Sequence, residues 1–254
     1  MEDDARVHLE VFGETRAVDL RVPIGAVPVR ALLPVARELG ARVRALAEEQ
    51  AAAEGRTVSC SAGCAACCRQ LVPISPVEAR AVAEAVDALP PREREATRAR
   101  FAGAVRRMEQ IRLLDRKAPR GRSALRASQS EDAAAWREVS ARYFAAQIAC
   151  PLLVDERCSL YESRPEACRE YLVTTPTERC RSLDGGAEEV ARPIRMSEAL
   201  ASAAASLLAW PSSGMIPLAL ALEWSEVHGA ALDATVDGEA AFLALVEAAQ
   251  ASEG

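Results

Sequence analysis

Eight cysteines stand in two groups and nowhere else in the 254-residue chain. The first group is Cys60-Ser-Ala-Gly-Cys64-Ala-Ala-Cys67-Cys68, and the second is spread over Cys150, Cys158, Cys168 and Cys180. Thiolate sulphur is a soft donor. Zinc takes four such ligands in a tetrahedron, and iron–sulfur cubanes usually take four as well. Eight thiols therefore suit two fully thiolate sites, or one site with thiols to spare, and the ligand sets need not divide by group. Adjacent side chains diverge, so Cys67 and Cys68 do not easily grip one ion. On a helix, Cys64 would face both of them at i+3 and i+4. One of the pair could then join Cys64 while the other turns to a second metal.

Two other readings of the cysteines are weaker. Free cysteine is often buried as a small hydrophobe, but eight in two tight groups flanked by Ser, Ala and Gly do not look like core sequence. A disulfide framework belongs to oxidising compartments. The start, Met1-Glu2-Asp3-Asp4, has neither a basic nor an apolar leader region. The expectation is a cytoplasmic, reducing environment. With 31 basic and 37 acidic residues the net charge is −6, so no global field draws nucleic acid and no such partner is expected. The stretch Ala199 to Leu222 carries no charge but is broken by Pro211, Gly214 and Pro217. It reads as two helices and a turn, not a membrane span, which needs about 20 uninterrupted apolar residues. His8 and His228 lie far from both groups and read as surface or packing residues. The basic stretch Arg116 to Arg126 reads as a solvated loop. No catalytic motif identifies a reacting residue.

The chain must bring these groups into place with ordinary elements. Half the residues are hydrophobic and only 4 % are aromatic, a composition that favours packed helices. Val7 to Val11 and Ala17 to Val22 alternate in the strand period around Gly13-Glu14, which predicts a small hairpin. Helical patterns cover Val35–Ala53, Arg92–Asp115 and Glu131–Ala149, the last with Trp136, Val139 and Tyr143 on one face. Ser75-Pro76-Val77-Glu78 is a capping box opening a further helix with Val82, Val86 and Leu89 as its buried stripe. Ser163-Arg164-Pro165-Glu166 repeats the pattern and predicts a short helix carrying Cys168. Ala118 to Ser130 reads as an exposed loop and Asp184-Gly185-Gly186 as a turn. Three helices follow, over Ser197–Ala209, Leu218–His228 and Gly238–Ala249. The expected fold is mainly α: an N-terminal hairpin region (1–30), a cysteine-cluster domain (31–190) and a helical extension packed on it (191–254). The two groups should meet at one end as a two-part metal-binding knot.

The motifs also carry a resemblance. Cys60-Ser-Ala-Gly-Cys64-Ala-Ala-Cys67-Cys68-Arg69, followed by Ser75-Pro-Val-Glu-Ala, resembles the opening motif of the zinc- or iron-chelating (YkgJ-like) cysteine-cluster family. Cys150-Pro-Leu-Leu and Cys158-Ser-Leu-Tyr161-Glu-Ser-Arg164-Pro165-Glu-Ala-Cys168-Arg169 resemble its closing motif. The resemblance implies Cys60, Cys64, Cys67, Cys68, Cys150, Cys158 and Cys168 as ligands, with Cys180 just beyond the core motif. Tyr161, Arg164 and Arg169 recur beside the last ligands. Arginine near thiolates lowers their pKa and can donate to sulphur, so these three are candidates to support the ligands. The cofactor implied is zinc or iron, as an ion or as an iron–sulfur cluster, and metal binding is the leading function. Flagellin lysine methylases look like distant relatives, which keeps an iron–sulfur or metal-dependent enzyme as an alternative. A metal-stapled interaction module is a third reading, with its protein partner unidentified.

Overall fold

The computed structural model describes residues 2–114, 133–183, 185–211 and 214–252. Strands β1 (Glu2–Val11) and β2 (Glu14–Pro23) form an antiparallel hairpin, longer than the alternating residues alone suggest. Phe12 and Gly13 close it with positive φ at both positions, the geometry that matches the twist of the flanking strands. Leu9, Val11, Val18, Leu20 and Val22 face inward, and the residues between them stay wet, as a period of two requires.

The chain continues through β3 (Ala26–Pro28), α1 (Leu32–Ala53), β4 (Pro73–Ile74), α2 (Pro76–Asp87), α3 (Pro91–Gln110) and α4 (Ala133–Ala145). There follow β5 (Leu153–Val154), β6 (Arg157–Cys158), α5 (Glu166–Glu170), α6 (Met196–Leu207), β7 (Ile216–Pro217), α7 (Ala221–His228), β8 (Thr235–Asp237) and α8 (Gly238–Ala251). The short strands pair as β3 with β8, β4 with β7 and β5 with β6, all antiparallel. The first two pairs clamp distant stretches of chain and the third is a local hairpin, while the helices supply the mass.

Helix α1 buries Leu32, Val35, Leu39, Val43 and Ala47, a stripe at helical spacing. Helix α6 packs on α8 and α2 on α7. Leu9, Leu39, Ile74, Leu200, Ile216, Leu220, Leu232 and Leu245 are wholly shielded from water in one continuous core. Val82 and Val86 of α2 join it, whereas Leu89 lies past the end of the helix and is only half buried. Val139 and Tyr143 are buried as expected. The side chain of Trp136, the stretch 118–130 with its arginines, and Asp184 lie outside the described residues. The uncharged stretch from Ala199 becomes α6, a break, a 3-10 turn over Leu218–Leu220 and then α7. Among the described residues no helix is long and apolar enough to cross a membrane.

Candidate metal centre

Away from the main core lie two small apolar clusters. One joins Ala47, Ala51, Leu172 and Val190; the other joins Ala66, Val173 and Cys180. The cysteine groups are built around them from turns and backbone hydrogen bonds.

The first group is a run of turns, so the helical i, i+3, i+4 arrangement considered from its spacing does not form. Cys64 N–H donates to Ser61 O at 3.1 Å, Cys68 N–H to Ala65 O at 3.0 Å and Gln70 N–H to Cys67 O at 2.9 Å. Gly63 holds φ at +90°, outside helical geometry, and the segment has no apolar stripe to bury against a neighbour. Strand-like backbone flanks it. Ser59 N–H reaches Val173 O at 2.9 Å, and Val173 N–H in turn donates to Cys60 Sγ at 3.4 Å.

The second group is tied directly to the first. Cys150 N–H donates to Cys68 O at 2.7 Å. Arg100 on α3 fixes the next residue through its Nε, 2.8 Å from Pro151 O. Cys158 ends the β5–β6 hairpin, whose turn residues Asp155 and Glu156 both have positive φ. Glu156 accepts both arms of Arg69, at 3.1 and 2.7 Å, which latches this hairpin to the first group. Cys180 sits in a 3-10 turn, Thr177–Arg181, and its carbonyl accepts from Gln70 Nε2 at 3.2 Å.

Cys168 lies in α5, as the sequence implies, but the cap differs. Ser163 belongs to a separate 3-10 turn, and α5 has no cap from its own flank. Glu78, the capping glutamate of α2, supplies it instead. Its Oε2 accepts from Ser75 N–H at 2.8 Å, Ser75 Oγ at 2.7 Å and Ser197 Oγ at 2.6 Å. Its Oε1 accepts Glu166 N–H at 2.6 Å. One buried carboxylate thus joins the starts of α2, α5 and α6. The capping box marks Glu78 in sequence, but nothing there marks a second use of its carboxylate on a residue 88 positions away.

All eight cysteines are free thiols. Cys60, Cys64 and Cys67 pack with Cys180 around Ala66 and Val173, whereas Cys150 and Cys158 pack against the main core. Burial pushes the Cys60, Cys158 and Cys168 thiols up, and pushes Cys150 to about 12 and Cys180 to about 11. Cys67 is raised first by its hydrogen bond with Cys68 and then by burial. Neighbouring thiols add to the shift in each case, and Cys67 acts on Cys60, Cys150, Cys158, Cys168 and Cys180. Burial and neighbouring thiols thus favour the protonated form in the metal-free chain.

The three supporting candidates lie in two places. The Arg164 guanidinium stacks 4.3 Å over the Tyr161 ring, and its charge bears on Cys60, Cys67 and Cys158. Its Nε is buried without a hydrogen-bond partner. Arg169 is directed toward carbonyls and a carboxylate: its Nε donates to Arg164 O at 2.9 Å and lies 3.3 Å from Glu166 Oε1. Because that N–H is committed to the carbonyl, Glu166 Oε1 gains a charge neighbour but no hydrogen bond. Burial first, and Glu78 second, push the Glu166 carboxyl up to about 8. A cleft of about 470 Å³ opens on the cluster, lined by Cys60, Cys64, Cys67 and Cys168 together with Arg44, Glu48, Tyr161, Arg164 and Tyr171. Arg44, Glu48 and Tyr171 are additions that no motif indicated. His8 is exposed on β1, and His228 packs against Trp224.

As the thiols stand, no three His, Cys, Asp or Glu side chains among the described residues close to metal-holding spacing. The donors themselves fit zinc or iron: a soft, all-thiol set, beside a buried guanidinium nitrogen with no partner.

The arrangement is a cluster of cysteines set on a helical scaffold. Residues 59–184 match the family model CxxCxxCC, described as "Putative zinc- or iron-chelating domain". The match takes in all eight cysteines, Cys180 included. No curated protein and no solved structure gave a match to the chain.

Proposed function

We propose that this protein binds zinc or iron through its clustered cysteine thiolates. The observation that carries this reading is the meeting of two groups far apart in sequence, tied by the bond from Cys150 N–H to Cys68 O at 2.7 Å, with the Arg164 charge beside them. Free thiols in this number call for a reducing compartment, in keeping with a cytoplasmic location. Tyr161 and Arg164 support the ligands, Arg164 by offsetting the negative charge of thiolates bound to one divalent ion. Arg169 acts one step away, by holding the Arg164 carbonyl and Glu166. Elemental analysis of anaerobically purified protein tests the reading. At least one zinc or iron per chain is expected, and Cys64→Ser or Cys168→Ser should lower it. Metal-free wild-type protein from cells replete in both metals would overturn the proposal.

An iron–sulfur or metal-dependent enzyme is the second reading, and the cleft favours it. A closed structural site needs no opening, whereas here four of the thiols border space for a small molecule beside Tyr161 and Arg164. Charge-transfer absorption of the anaerobic protein separates the cases: a brown protein supports iron–sulfur chemistry, and a colourless one with stoichiometric zinc supports chelation.

A further inference from the structure

The cleft at the cysteine end is built of more than thiols. Its volume, about 470 Å³, falls within the range of small-molecule sites, about 300–1,000 Å³. Val58 and Leu172 line it, and both belong to the small apolar cluster with Ala47, Ala51 and Val190. Its charged residues are Arg44, Glu48 and Arg164. They are not equivalent. Arg44 Nε stands 3.7 Å from Glu48 Oε1, so those two charges offset one another. Arg164 has no carboxylate partner. Among the described residues its guanidinium donates no hydrogen bond, and its Nε is buried without an acceptor. A guanidinium offers a planar fork of donors suited to an oxyanion, and a buried donor left unpaired is costly. What holds this one is the Tyr161 ring, 4.3 Å beneath it. The chain thus keeps one unpaired positive charge, fixed on an aromatic face, in an opening that also has apolar lining.

We propose that the cleft binds a small organic monocarboxylate, its carboxylate on the Arg164 guanidinium and its apolar body against Val58 and Leu172. The ligand's role as a substrate rests on the metal-dependent enzyme reading above, which the proposal deepens by naming the ligand's class. Charge selects that class. With Arg44 and Glu48 offsetting one another, the charged side chains of the lining leave one positive charge, which a monoanion neutralises. Inorganic phosphate brings a second negative charge and nothing for Val58 and Leu172 to cover. The planar carboxylate also matches the guanidinium fork. The charge of Arg164 still acts through space on the thiols while its N–H groups engage the ligand. Cys60, Cys64, Cys67 and Cys168 share the same lining, so a carboxylate held on Arg164 brings the rest of its molecule beside them. Tyr161 is a positioning residue: it fixes the guanidinium and need not touch the ligand.

Isothermal titration calorimetry of the anaerobically purified full-length chain, with metal counted on the same sample, tests this with benzoate as the probe. Benzoate should bind. Benzamide, which has the same body without the charge, should bind about ten- to hundredfold more weakly, the value of a hydrogen bond to a charged group. Inorganic phosphate should also bind more weakly than benzoate. Arg164→Gln should weaken benzoate by the same factor as the loss of charge on the probe. Glu48→Gln changes an exposed side chain of α1 and frees Arg44, so it should tighten benzoate by up to about fivefold; a merely structural role for the charges predicts no gain. Far-UV circular dichroism checks that both variants are folded, and the comparison of probes needs no variant. Absence of benzoate binding, equal affinity for benzamide, or a preference for phosphate overturns the proposal, as does unchanged benzoate affinity in folded Arg164→Gln. Each of these can occur in a chain that carries its metal, which leaves the metal-binding reading intact. Benzoate binding with the expected charge dependence in a chain that takes up no metal supports the carboxylate site and overturns the metal-binding reading instead.

Discussion

The helical core and the cysteine end are held together by different means. In the core, Leu39, Leu200, Leu220 and Leu245 have no exposed surface, and each such side chain contributes about 2 kcal/mol by leaving water. At the cysteine end, the satellite clusters hold only a few small or medium residues. Turns, 3-10 segments and single backbone bonds replace long elements there. Two regions of one chain thus share a structure and differ in what holds them: one a continuous buried core, the other turns, small satellite clusters and single backbone bonds.

Metal removal should break this comparison most strongly. Structural zinc supplies on the order of 10 kcal/mol of apparent binding free energy, which counts as folding free energy where it is bound. Stripping the ion should speed hydrogen exchange over residues 59–70 and 150–182 far more than over α1, α6 and α8. Equal protection with and without metal would show that the cysteine end is self-supporting. The converse change is Leu200→Ala, which should cost about 2–5 kcal/mol in global stability while the folded fraction retains its metal. A chemical denaturation curve and a metal count on the same sample measure both.

Glu78→Ala sharpens the comparison, because Glu78 belongs to both regions. It deprives Glu166 N–H, Ser75 and Ser197 of a buried acceptor, at about 1–3 kcal/mol for groups left unpaired. Stability should fall, and metal affinity should fall with it as α5 loses its anchored start. Ser75→Ala should cost less, about 1 kcal/mol, and leave metal affinity unchanged. A matching loss of affinity in Ser75→Ala would deny Glu78 its special link to α5.

The smallest effect is in pH. Burial raises Glu166 to about 8 and Glu170 to about 7, above the ordinary 4.5. Raised folded-state values mean that the stabilising contribution is complete below 4.5 and lost as pH climbs through 7 and 8. The metal-free chain should therefore melt at a lower temperature at about pH 9 than at about pH 5, and Glu166→Gln should flatten that slope. The loaded chain should weaken in the opposite direction, since protons compete with metal for the thiolates. An identical pH slope in Glu166→Gln would remove Glu166 from the account.

The sequence makes some of this legible and hides the rest for definite reasons. Local patterns speak for themselves: alternation gives β1 and β2, a stripe gives α1, and Ser75 with Glu78 announces the start of α2. The cysteine groups and the family they resemble are equally plain. What stays hidden depends on pairing across distance. Ser163 carries the same cap pattern as Ser75, yet the cap of α5 comes from Glu78, because a buried carboxylate with two oxygens outcompetes a serine drawn into its own 3-10 turn. The turns from Cys64 to Gln70 were open to a helical reading because small residues suit either, and only Gly63 hints at the outcome. Arg44, Glu48 and Tyr171 reach the cleft from α1 and from the chain beyond α5, with no spacing rule to mark them.

The bond between Cys150 and Cys68 also sets a timetable. During synthesis the first four cysteines leave the ribosome well before the last four, and α2, α3 and α4 emerge in between. Until Cys150 arrives, the carbonyl of Cys68 lacks the N–H it accepts from, and the early thiols lack their cover. Any set that joins the first four thiols to Cys180 is incomplete until residue 180 is out, so the nascent chain passes through a stage with its early sulphurs unpartnered. A cell that makes this protein under oxidative stress should lose yield at that stage, and the damage should fall on Cys60 to Cys68 rather than on the later thiols.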